Sequence, residues 1–119
     1  MFRAAPDDPV FQGMEIQLID SFGENPSYYS CGALYDVASP MFNLVNKPGE
    51  WNSLDLTVQG KHIVAAVNGW SVLDVDLSRM TMPIGKFPTP LNELPVTGSL
   101  FLQDHGNEVW FRNLRVRKL

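Results

Sequence analysis

Hydrophobic and polar residues alternate most cleanly between Trp51 and Leu77. From Trp51 to Gln59, Leu54, Leu56 and Val58 share one parity and Ser53, Asp55 and Thr57 the other, the period of a strand with one covered face. Gly60 and Lys61 mark a turn, and His62 to Val67 reads as a second strand. Asn68-Gly69 then gives a strong hairpin signal, because both residue types accept positive φ. Trp70 to Leu77 supplies a third strand, with Val72, Asp74 and Asp76 on one parity and Leu73, Val75 and Leu77 on the other. Three strands with two tight turns predict an antiparallel meander.

The pattern is shorter or less regular elsewhere. Gly13 to Asp20 reads as a strand, with Met14, Ile16 and Leu18 on one face and Glu15 and Gln17 on the other. Cys31 to Val37 is a short strand or turn. Ser21–Ser30 and Ala38–Glu50, rich in Gly, Asn, Pro and Ser, read as loops, and Met1–Gln12 as a loop or arm. Arg79 to Thr97 holds four prolines. It reads as an ordered excursion anchored by Met80, Met82, Ile84, Phe87 and Leu91, and an excursion of this length is often functional. Leu100–Gln103 and Val109–Val116 flank Asp104-His105-Gly106-Asn107, which predicts a closing hairpin. Within it, Arg112 reads as a carboxylate's partner or a site residue, and Asn113 as a bulge. No helical stripe longer than about ten residues is present. The expectation is a single all-β domain over residues 1–119, a β-sandwich.

Composition narrows the function classes. The 119 residues are 45% hydrophobic and 18% charged, with net charge −4, which suits a globular chain rather than a disordered one. The basic residues cluster only at Arg115-Val-Arg-Lys118, so nucleic acid is not an expected partner. No apolar run approaches the ~20 residues of a membrane helix. No signal peptide is evident, so a cytoplasmic location is expected for the chain as written, and an exported one if a longer parent carries a signal. Cys31 is the sole cysteine and reads as a buried structural residue. His62 reads as solvated beside a turn. Asp74 and Asp76 read as the polar face of an edge strand, with a calcium site as the alternative.

A series of short motifs carries a resemblance. Gly13-Met-Glu-Ile-Gln-Leu-Ile-Asp20, Gly32-Ala-Leu-Tyr-Asp36, Gly49-Glu-Trp-Asn52, Val67-Asn-Gly69, Leu102-Gln-Asp-His-Gly106 and Trp110-Phe-Arg-Asn113 follow in that order. Together they resemble the 3-keto-disaccharide hydrolase domain family, whose fold is a concanavalin A-like, laminin-G-like jelly roll. The resemblance implies an antiparallel β-sandwich of that type and runs over nearly the whole chain. In the family, several strands and an Asn-Ser-Gly-containing segment precede the position like Arg3. The expectation is therefore the C-terminal part of such a sandwich, lacking the N-terminal strands. Exposed sheet edges invite pairing with another copy, so a homo-oligomer, strand-swapped in one version, is expected.

The resemblance also implies carbohydrate chemistry. A 3-keto sugar has an acidified C2 hydrogen; a base removes it, the aglycone leaves by elimination, and water adds back. This needs a base, a group that polarises the ketone, and an acid for the leaving group. A divalent metal is one candidate for the polarising role. Glu15 and His105 are the candidate catalytic residues and also the candidate metal ligands. Gln17 and Gln103 are candidates for sugar hydroxyls, Arg112 for holding Glu15 ionised or touching substrate, and Trp51, Trp110 and Tyr35 for stacking on a pyranose ring. Each has a plainer alternative: an exposed strand residue or Arg112's structural partner for Glu15, and core packing for the two tryptophans. At the level of function the alternatives are a non-catalytic carbohydrate-binding module and a half-domain that assembles with another chain.

Overall fold

The computed structural model describes residues 1–5 and 13–119. Part of the expected N-terminal arm, residues 6–12, lies outside the described residues. The fold is all-β. Its regular part is one antiparallel sheet of three strands in the order β1-β2-β3: β1 Leu54–Gln59, β2 His62–Val67 and β3 Trp70–Asp76. The meander therefore forms where the alternation is cleanest. In the β2–β3 turn both Asn68 (φ 52°) and Gly69 (φ 83°) take the left-handed conformation, as a two-residue type I′ turn requires.

Register explains which side chains are covered. Leu54, Leu56 and Val58 of β1 stand opposite Val67, Ala65 and Ile63 of β2. Ile63, Ala65 and Val67 are buried in the central strand, whereas Leu56 and Val58 are half-buried on the outer one. Between β2 and β3 the register shifts at Ala65/Ala66: Ala65 faces Leu73 but Ala66 faces Ser71. Val72 is thus the extra residue of a bulge, which lets Val72 and Leu73 both be buried although strict alternation would separate them. Gly32 packs there, since an added Cβ would sit 3.1 Å from side-chain methyls of both Val67 and Val72.

A second layer of irregular chain closes the core. Phe2, Met14, Ile16, Leu34 and Val37 form one cluster with Ile63, Ala65, Leu73, Val75 and Leu77. The expected strand at 13–20 is reduced to isolated bridges, Phe2 with Met14 and Ile16 with Leu34. Met14, Glu15 and Ile16 are buried, but Leu18 and Ile19 are exposed. The excursion 79–97 is ordered as expected, with 3₁₀ turns at Leu77–Arg79 and Leu91–Glu93. Phe87 and Leu91 anchor it and Met80 packs alongside, whereas Met82 and Ile84 are exposed and are no anchors.

The largest departure is at the C-terminal end. The predicted hairpin 100–116 forms no ladder: neither arm is a strand. Gly106 N–H donates to Asp104 Oδ1 at 2.7 Å, making a local turn, and Asn113 takes φ 56°, which bends the second arm. Leu100, Leu102, Val109, Trp110, Leu114 and Val116 are all exposed. A two-stranded hairpin is marginal without a third strand or a face to cover, and these arms have neither among the described residues. What holds the segment is its start: Ala4 and Ser99 exchange backbone hydrogen bonds, and Phe101 N–H donates to the Met1 carbonyl at 2.9 Å.

Candidate functional site

Glu15 lies between Met14 and Ile16, and all three are buried. Its carbonyl accepts the Tyr35 N–H at 2.9 Å, and Gln17 exchanges backbone hydrogen bonds with Gly32 and Ala33. The segment bearing Glu15 and Gln17 is thereby pinned to the 31–37 turn. A buried carboxylate needs a partner. Here the partner is Lys86, whose Nζ stands 3.5 Å from Glu15 Oε2, with both side chains largely buried. Arg112, one expected partner of Glu15, is elsewhere: its guanidinium lies 3.9 Å from the centre of the Trp51 ring.

Glu15 and Gln17 open onto a cleft of about 480 Å³, within the usual range for small-molecule sites. Four segments line it: Met1 and Phe2, residues 15–20, Leu54 and Leu56 of β1, and a wall from residues 100–111 that includes Gln103, His105 and Phe111. Gln103 Nε2 and His105 Nε2 are 2.8 Å apart. The amide N–H can donate to the ring when Nε2 is unprotonated. The shared parity of Gln103 and His105 thus becomes direct contact. The cleft combines carboxylates (Glu15, Asp20, Glu108), the His105 imidazole and amides (Gln17, Gln103, Asn107) with apolar walls.

Four candidates do not line this cleft. Tyr35 packs edge-to-face on Tyr29 with ring centroids 5.3 Å apart, and Tyr29 donates a hydrogen bond to Asp36 Oδ1. The Asp36 carboxylate raises the Tyr29 phenol above its usual value. Trp51 and Trp110 are 46% and 68% exposed, so neither is core. Trp51 carries Arg112 and Trp110 faces solvent. Glu15 and His105 both line the cleft; among the described residues no group of three or more His, Cys, Asp or Glu side chains is placed to hold an ion. His62 is not merely solvated, since its Nε2 lies 2.6 Å from Asp74 Oδ1 across the exposed face of the meander. Asp76 caps the turn after β3. Burial pushes the Cys31 thiol up, which fits an inert structural residue.

The comparisons with known proteins bear on this geometry. The sequence pattern of the 3-keto-alpha-glucoside-1,2-lyase-like domain family matches residues 1–117. The chain belongs to that family. Its all-β fold is accordingly the family's antiparallel jelly-roll sandwich. The crystal structure of a "putative glycosyl hydrolase" from Parabacteroides distasonis ATCC 8503 is similar, with a TM-score of 0.72 and 29% identity over 81% of this chain. The chain spans 56% of the length of that structure. None of the curated proteins matches.

Lys86, the ion-pair partner of Glu15, is the residue that pattern reading missed. Its signal was present: it is the sole basic residue between Met80 and Thr97, set between Gly85 and Phe87 in an apolar, proline-rich run. Gly85 explains its reach. At φ 55° its Cα lies against Asp36, and an added Cβ would collide with the Asp36 backbone carbonyl. Only glycine lets the loop come this close and deliver the next residue to Glu15.

Proposed function

We propose that this domain cleaves 3-keto glycosides by base-assisted elimination followed by hydration. Glu15 takes the C2 hydrogen as a proton; the electron pair forms the C1–C2 double bond as the C1–O bond breaks. His105, protonated at Nε2 as the Gln103 amide turns away to a ring hydroxyl, delivers that proton to the departing oxygen. Water then adds across the double bond, its hydroxyl to C1 and a proton to C2, so that the sum is hydrolysis. Gln17 and Gln103 hold ring hydroxyls, and the apolar walls exclude bulk water. The carrying observation is that a buried carboxylate and an imidazole, distant in sequence, line one cleft in a chain of this family.

The test is Glu15→Gln, which keeps side-chain volume. Turnover of a 3-keto glucoside is expected to fall by at least ~10²-fold, in line with loss of a general base, while circular dichroism stays native. Wild-type turnover in the folded variant would overturn the assignment. A second reading, assembly with another copy of the chain, is favoured by the exposed apolar side chains of 100–116 and the absence of a ladder there. It requires an unfolding midpoint that rises with protein concentration.

A further inference from the structure

The excursion 79–97 makes contact with the site through Lys86, and this contact has a form that simple surface pairing does not. The Lys86 and Glu15 side chains are 16% and 10% exposed. Lys86 Nζ also lies 5.8 Å from the Tyr35 ring centre and 5.5 Å from that of Phe87, within cation–π range. The ammonium is therefore located by two ring faces as well as by the carboxylate. Tyr35 is in turn hydrogen-bonded through its backbone to Glu15. Glu15 lines the cleft, whereas Lys86 is not among its lining residues. A cation in that place restricts the carboxylate to the rotamer that keeps one oxygen on Lys86.

We infer that Lys86 is a positioning residue for Glu15: it fixes where the carboxylate sits at the cleft wall, and the excursion exists partly to bring it there. The inference rests on the catalytic reading of Glu15 for its consequence in turnover, but the coupling of the two side chains does not. Removing one member of a buried ion pair is costly because the other is left uncompensated, whereas replacing both by neutral groups of similar size is far cheaper.

The experiment compares wild type, Glu15→Gln, Lys86→Met, Lys86→Arg and the double variant Glu15→Gln/Lys86→Met in unfolding midpoint, and wild type, Lys86→Met and Lys86→Arg in kcat and KM on a 3-keto glucoside. Lys86→Met is expected to lower kcat about 10- to 100-fold, the scale of misplacing a reacting group, with KM moved less than about threefold. Lys86→Arg restores most of kcat. The double variant unfolds at a higher midpoint than Lys86→Met. Unchanged kcat in Lys86→Met overturns the inference, as does Lys86→Arg matching Lys86→Met in kcat while remaining as stable as wild type. If the wild type turns over no 3-keto glycoside, the proposed reaction fails. The midpoints then decide alone: coupling between the two substitutions sustains the positioning role and additivity overturns it. If Lys86→Met does not fold but the double variant does, the unpaired carboxylate is the cause and the inference stands. If neither folds, Lys86 supports the loop rather than Glu15 and the inference falls.

Discussion

Two stretches of this chain carry a similar strand pattern and end differently. Residues 54–76 form a complete meander, and residues 100–116 form no ladder at all. Both have apolar alternation and a Gly/Asn turn. The meander has Asn68-Gly69 with both residues left-handed, and a central strand flanked on each side. The terminal stretch has a turn stabilised only within itself and a bend at Asn113. The difference shows what alternation encodes. It states which side chains need cover, but the cover must come from a partner elsewhere in the chain or in another chain. Where β2 finds two neighbours, the pattern becomes a sheet. Where 100–116 finds one anchor at Ser99–Phe101, it becomes the wall of a cleft.

The strongest way to break this comparison is to truncate one buried and one exposed side chain. Ile63 in β2 is fully buried, whereas Trp110 is 68% exposed. Ile63→Ala is expected to cost about 2–5 kcal/mol, from lost transfer energy and a cavity. Trp110→Ala is expected to stay within about 0.5 kcal/mol, as for surface substitutions generally. Chemical denaturation at two protein concentrations measures both. A large, concentration-dependent loss in Trp110→Ala would mean that a second copy covers the terminal segment, and the contrast between the two regions would then hold only within one chain.

The next effect sharpens the comparison by asking why one turn organises more than its own hairpin. Asn68 Oδ1 accepts the Ser53 N–H at 2.9 Å, and its Nδ2 donates to the Leu44 carbonyl and to Asn52 Oδ1, both at 2.8 Å. The turn residue thus ties the meander to the loop before β1. Asn68→Gly keeps the left-handed backbone and removes only these bonds, at roughly 1 kcal/mol each, so a loss of about 2–3 kcal/mol is expected. A loss of only a few tenths would reduce Asn68 to a turn former and place it on a par with Gly106 in the terminal stretch.

Much of the fold was legible in the residues, for stated reasons. β2 and its turns follow from period-two alternation and from φ preferences, which are local. The bulge at Val72 was not, because it depends on Gly32 leaving room against Val67 and Val72. Of the site, Glu15 and Gln17 were legible from parity, and Gln103 and His105 likewise. The partner of Glu15 was not: Arg112 offered the better sequence argument, yet it lies on Trp51, and Lys86 arrives because Gly85 can press against Asp36. Long-range pairing of charges is set by loop geometry, and loop geometry left only a glycine as its trace.

The smallest expected effect concerns how the meander stops. Asp76 ends β3 and its Oδ1 accepts the Ser78 N–H at 2.9 Å, capping the 3₁₀ turn Leu77–Arg79. The hydrogen bonds from Ser78, with His62 and Arg79 adding attraction, hold its carboxyl below the usual value. A carboxylate with a depressed folded pKa adds stability that is present above the unfolded value, near pH 3.9. That stability is lost as pH falls through the lower folded value. Asp76→Ala should therefore lower the unfolding midpoint modestly at pH 7, and the gap from wild type should narrow once the pH drops below about 4. A gap for Asp76→Ala that stays constant from pH 7 into the acid range would mean that the charge of Asp76 is immaterial. The meander's end would then owe its order to packing of Leu77 alone, which is 1% exposed beneath the turn.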